Sequence, residues 1–217
     1  KMHRNLILPK SYWLNEIKNM KEINPDLNFK IITNLLKKNI RKIEKNFGFF
    51  LNSGNISIQS KSYQSILFSI KNIFDEKHLD KEVISNLVRG SIQKFYFGEK
   101  DLSIIHVIID KYIIDDKEYK NLPSNIKFKK IILEIEFICL EKKLLDKVKK
   151  LFNECEINID KIVSHEYAKK ISNNLSDDTM CVAAHNIITG INQSEVYLES
   201  NNQKKKGIFY KIFNLFD

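Results

Sequence analysis

The sequence predicts an α+β fold, an antiparallel sheet packed with helices and followed by a C-terminal amphipathic helix. Three observations predict it. Runs rich in isoleucine, valine and phenylalanine at 65–70, 103–109, 112–115 and 130–140 have the β-branched composition of strands. Between and around them, apolar residues recur at helical spacing. At the C-terminus a lysine cluster runs into an apolar, aromatic end.

Ile31, Ile32, Leu35, Leu36, Ile40 and Ile43 follow the start signal Asn24-Pro25-Asp26, which predicts a helix from Pro25 to Asn46. Phe47 to Leu51 is short, apolar and aromatic and stops at Asn52-Ser53-Gly54-Asn55, the pattern of a strand and a turn. Ile56 and Ile58 then alternate with polar residues, as in a strand. Val83, Ile84, Leu87, Val88 and Ile92 share a helical face, with Asp80 placed as its N-cap. Asp110-Lys111 separates the two strands at 103–109 and 112–115, and Asn121 to Asn125 reads as a loop. Leu144, Leu145, Val148, Leu151 and Phe152 mark another helix, which Asn153 to Asn158 ends. Asp177-Asp178 caps a helix through Ile188, closed by Gly190, and 191–203 reads as a polar linker.

The chain has 217 residues and 43% hydrophobic content, enough for one ordinary domain or two small ones. Its net charge is +9, yet the only arginines are Arg4, Arg41 and Arg89, so bidentate phosphate or guanine readers are few. Cys139, Cys155 and Cys181 are odd in number and lack a CxxC pair, which argues against a disulfide framework or zinc knuckle and fits a reducing cytosol. No apolar run reaches the roughly 18 residues of a membrane span, nor does the N-terminus show a signal-peptide core. Lys1 precedes Met2, the pattern of a fragment or a recoded start.

The predicted tail helix spans Lys204 to Asp217. Ile208, Phe209, Ile212, Phe213 and Phe216 fall on one face, with Lys204, Lys211 and Asn214 opposite. Lys205, Lys206 and Leu215 complete the expected membrane-binding set. Burying each large side chain contributes roughly 1.5–3 kcal/mol, and each lysine near an anionic leaflet about 1 kcal/mol, against the cost of ordering the peptide. A helix docked on its own domain is the alternative. The polar linker and the three consecutive lysines beside interfacial aromatics favour reversible attachment to a membrane surface.

Other clusters look chemical but read as structural. His165-Glu166 opens like a zincin motif, but Lys169 stands where the second histidine belongs. Cys181 and His185 lie one turn apart without a second ligand pair. Asp115, Asp116, Glu134 and Glu136 fit a solvated sheet face, and His106 lies in an apolar strand. Neither a GxGxxG nor a Walker loop occurs, and Ser53-Gly54 is too short to cradle phosphate. No catalytic, metal or cofactor residues are expected.

Taken in order, these segments resemble FtsA, the actin-like cell-division protein family that links the FtsZ ring to the bacterial membrane. Ile105-His106-Val107-Ile108-Ile109-Asp110-Lys111-Tyr112-Ile113-Ile114-Asp115 is similar to the family's HVIPQEYIID, with Ile109 in place of its proline. Leu133-Glu134-Ile135 to Cys139 resembles LEAKVHIVT, Ile157 to Asp160 the turn after the next helix, and Phe50 to Ile56 the stretch around SGxHI. These segments belong to the family's inserted SHS2, or 1C, subdomain. Both phosphate loops and the second lobe have no counterpart: Ser172 to Ser176 leads directly to Asp178-Thr179 and Ala184, similar to the family's final helix.

The resemblance implies a remnant of the actin-like subdomain 1A at 1–52, an SHS2-like domain at 53–172, a closing helix at 173–190, a linker at 191–203 and the membrane helix at 204–217. It implies a division adaptor without ATP binding, on the cytoplasmic side of the inner membrane at mid-cell. Its partners would be the anionic membrane surface and another FtsA-like copy or an FtsN-like cytoplasmic segment. The subdomain that docks the FtsZ tail is missing, which counts against direct FtsZ binding. A lysine-rich nucleic-acid-binding domain is the alternative, weakened by scarce arginine and by the lack of a helix-turn-helix or RNA-recognition signature; no nucleic acid is expected as a partner.

Overall fold

The computed structural model describes residues 25–60, 62–171, 177–200 and 210–213. In chain order the elements are α1 (Pro25–Phe47), β1 (Ser53–Ile58), β2 (Gln64–His78), α2 (Lys81–Gly98), β3 (Leu102–Ile114), β4 (Lys117–Tyr119), β5 (Lys127–Glu141), α3 (Lys142–Asn153), β6 (Asn158–Ser164), α4 (His165–Ile171), α5 (Asp177–Ile188), β7 (Glu195–Ser200) and β8 (Tyr210–Phe213). The fold is α+β, as expected. The chain divides into two compact units, one of residues 1–61 and 142–189, the other of 62–141 and 190–217. Residues 62–141 of the second unit are spliced into the first between β1 and α3, and its remaining residues, 190–217, follow the first unit in the chain. The expected boundaries at 52/53 and 172/173 therefore do not coincide with those of the units.

In the first unit, β1 and β6 pair in parallel from Ser53↔Asn158 to Ile58↔Ser164. Parallel strands cannot be joined by a tight turn and need a long crossover. Here β2, α2, β3, β4, β5 and α3 lie between them in sequence. On α1, Leu36 and Ile40 bury their side chains with Ile157, and Leu51, Leu151, Phe152 and Cys155 pack around them. These are positions of the predicted apolar stripe, and α1 ends one residue beyond the expected Asn46. Gly48 then turns the chain at φ +70°, its N–H donating to the Glu44 carbonyl at 2.8 Å.

The expected strand at Phe47–Leu51 does not form, and β1 begins inside the expected turn. The helical periodicity carries through Phe47, and Phe50 is left 82% exposed with no ladder to join. Helix α4 was not foreseen from the sequence. The Ser164 hydroxyl accepts from the Tyr167 N–H at 3.3 Å and Glu166 lies within 3.2 Å of that hydroxyl, a local cap for a helix of only seven residues. Helix α5 and the left-handed Gly190, at φ +88°, fall where the sequence placed them.

In the second unit the strand order is β2-β5-β3-β7-β8, with β4 on β3. β3 is one continuous strand: the expected break at Asp110-Lys111 is a register shift between Ile109 and Lys111. The reversal comes at Asp115 and Asp116, whose φ of +46° and +68° suit the two-residue turn joining Ile114 to Lys117. Asp115 is held there by accepting the Lys129 and Lys130 N–H groups at 3.1 and 2.8 Å. Helix α2 starts at the predicted cap, where the Asp80 carboxylate accepts from the Val83 N–H at 2.8 Å. Its buried Ile84, Val88 and Phe95 share one core with Ile109, Leu133, Ile135 and Phe137. The Phe137 ring lies 5.2 Å from that of Phe95 and 5.6 Å from that of Phe68.

The C-terminal part departs from expectation. Residues 195–200 of the expected linker form β7, antiparallel to β3 through Val107↔Val196 and Ile108↔Glu195, and Val196 is buried in the core. Within the expected tail helix, Tyr210–Phe213 is the extended strand β8, paired with β7 from Tyr197↔Phe213 to Ser200↔Tyr210. An isolated helix this short is marginal in water, whereas Tyr-Lys-Ile-Phe has the aromatic and β-branched composition that a strand edge accepts. The remainder of that segment, 204–209 and 214–217, lies outside the described residues, as do 1–24 of the expected N-terminal remnant. Among the described residues no helix is long and apolar enough to cross a membrane.

Candidate functional site

The structure distributes the sequence-predicted residues rather than gathering them. Of the membrane-binding set, Lys211, Ile212 and Phe213 stand in β8 opposite Glu199, Leu198 and Tyr197. Lys204, Lys205, Lys206, Ile208, Phe209, Leu215 and Phe216 lie outside the described residues.

The four sequence-predicted carboxylates, Asp115, Asp116, Glu134 and Glu136, each hold a structural partner. Asp115 caps backbone N–H groups, and Asp116 pairs with the Lys130 ammonium. Glu136 accepts from the Ser65 hydroxyl at 2.6 Å, and Glu134 lies 3.5 Å from the Lys111 Nζ. Lys111 also donates to Glu118 at 3.0 Å. That hydrogen bond, with the Glu118 and Glu134 charges adding to it, raises the Lys111 pKa above the ordinary lysine value against a desolvation that works the other way. An open depression beside it is lined by Asp110, Lys111, Glu118, Tyr119 and Lys120. An ordinary amine is already protonated at neutral pH, so a further rise makes Lys111 an anchor and not a proton carrier.

His106 is buried, as the apolar strand suggested, and its Nδ1 lies 2.7 Å from the Glu195 Oε1. The two side chains are 4% and 2% exposed. Glu195 was missed because it sits in a stretch read as linker. The only signal for it is the brief alternation of Val196 and Leu198 with Glu195, Tyr197 and Glu199. His165 and Glu166 open α4, where Glu166 accepts from the Ser60 N–H at 3.3 Å. Cys181 and His185 share α5 one turn apart. Ser53 of the phosphate-loop candidate donates to Asp160 across the β1–β6 pair at 2.7 Å. Burial raises the Cys139 thiol pKa to about 12, with the Glu99 charge adding, and burial also raises that of Cys155, so neither is an activated nucleophile. Among the described residues no three histidine, cysteine or carboxylate side chains gather as metal ligands.

What the geometry does present is exposed apolar surface on the second unit. β2 is the terminal strand of its sheet, and among the described residues only β5 pairs with it. On it Leu67 and Ile73 are 76% and 65% exposed. In the same unit, Phe97 is 89% exposed at the end of α2. No protein-family model matches this chain, and no curated protein sequence matches it.

Proposed function

We propose that the chain is an FtsA-like cell-division adaptor: its C-terminal segment attaches it to the inner face of the bacterial membrane, and its spliced sheet unit binds a divisome protein. The observation that carries the reading is the splicing itself. The antiparallel strands β2 to β5 with helix α2, residues 62–141, interrupt a unit whose parallel β1 and β6 are distant in sequence; this supports an inserted subdomain of the SHS2 kind, over a narrower range than the expected 53–172. The order of the sequence matches and the lysine-plus-aromatic tail support it further. On this reading ATP plays no part, because neither glycine-rich phosphate loop occurs in the sequence.

The test is co-sedimentation with vesicles containing anionic lipid. The parent chain pellets with them, and Phe209→Glu combined with Phe213→Glu abolishes pelleting. Equal sedimentation of parent and variant contradicts the membrane role.

A further inference from the structure

We infer that the edge of β2 left unpaired among the described residues pairs with β2 of a second copy, in antiparallel register about Ile70, to give a closed two-fold dimer with one continuous sheet. Ile66, Phe68 and Ile70 point into the core beneath α2, so the strand period places Leu67, Ser69, Lys71 and Ile73 on the opposite face. That face should be polar on a solvated edge strand. Instead Leu67 and Ile73, each three residues from Ile70, are two of the most exposed large apolar side chains in this unit. An exposed hydrophobic edge strand is a template for strand pairing.

The spacing selects both the occupant and the register. A two-fold axis perpendicular to the sheet at Ile70 sets Leu67 opposite Ile73 of the second copy, and Ile73 opposite its Leu67. Ser69 faces Lys71, and Ser65 faces Asp75, so no like charges meet. Sliding by one pleat in one direction puts Lys71 opposite Lys71 and Leu67 opposite Asp75; sliding in the other puts Leu67 opposite Lys71. Each slip separates the apolar pair, and the first also costs like-charge repulsion. Residues 67–73 lie within the unshifted part of the β2–β5 ladder, which runs from Gln64 to Ile73, so the edge is regular where the pairing is needed. Symmetric pairing closes on itself and yields a dimer, not a filament. The inference is independent of membrane attachment.

Sedimentation velocity on the full chain, without lipid, tests it. The parent shows a reversible monomer–dimer equilibrium at concentrations up to about 100 μM. Leu67→Lys and Ile73→Glu, both at exposed positions, each weaken the dimer by about tenfold or more while leaving the circular dichroism unchanged. The two together restore it, because position 67 of one copy faces position 73 of the other. A parent that stays monomeric over this range, single variants that dimerise like the parent, or a double variant that fails to recover would each overturn the proposal.

Discussion

The Nδ1 of His106 and the Oε1 of Glu195 meet at 2.7 Å with both side chains almost fully withdrawn from solvent, and this contact ties β7 to the middle of β3. Beside it the Ile109 N–H donates to the Ser194 carbonyl at 2.8 Å. The ladder between the two strands has only two residue pairs, so the side-chain contact and buried Val196 supply much of what holds β7 in place.

Glu195→Ala therefore leaves the buried His106 ring without that partner. A buried polar group that loses its partner costs about 1–3 kcal/mol. Urea unfolding of the variant shows a lower midpoint with a nearly unchanged slope. Hydrogen exchange of the Ile109 amide rises, as expected if the start of β7 loosens.

The Asp80 carboxylate accepts from the Val83 N–H at 2.8 Å and caps α2. Loss of such a cap costs typically about 1 kcal/mol. Asp80→Ala lowers stability by that amount in thermal unfolding, and Asp80→Ser restores most of it.

Stability falls at alkaline pH. Burial raises the Tyr112 pKa from 10.0 to about 12, and burial with the Glu99 charge raises that of Cys139 from 9.0 to about 12. Both groups are neutral when protonated, so between about pH 9 and 12 the unfolded chain loses protons that the folded chain keeps. Their contribution is complete below pH 9 and is lost as the pH rises through the folded values. The urea midpoint declines across that window, and Tyr112→Phe with Cys139→Ala flattens the decline.

Long periodic segments were legible in the sequence. The stripe from Ile31 to Ile43, the cap at Asp80 and the Ile-rich run of β5 each repeat a signal often enough to fix an element. Short segments were not. Phe47 to Leu51 has strand composition, but the left-handed Gly48 and the absence of a ladder leave Phe50 in solvent. Strand β7 has too few apolar positions to stand out from polar neighbours, and its place is set by His106 and Val107 some ninety residues earlier. The extended backbone of Tyr210–Phe213 likewise depends on β7, a tertiary partner that helical periodicity cannot reveal. The exposed apolar edge of β2 was visible only as Ile66-Leu67-Phe68, three apolar residues in a row where alternation was due.

The most direct measurement of the adaptor reading is the position of a fluorescent fusion in the native cell, with and without residues 204–217. The full chain gives a mid-cell band, which disperses into the cytoplasm on truncation. Diffuse fluorescence from both forms, or a band that survives loss of the tail, would contradict it.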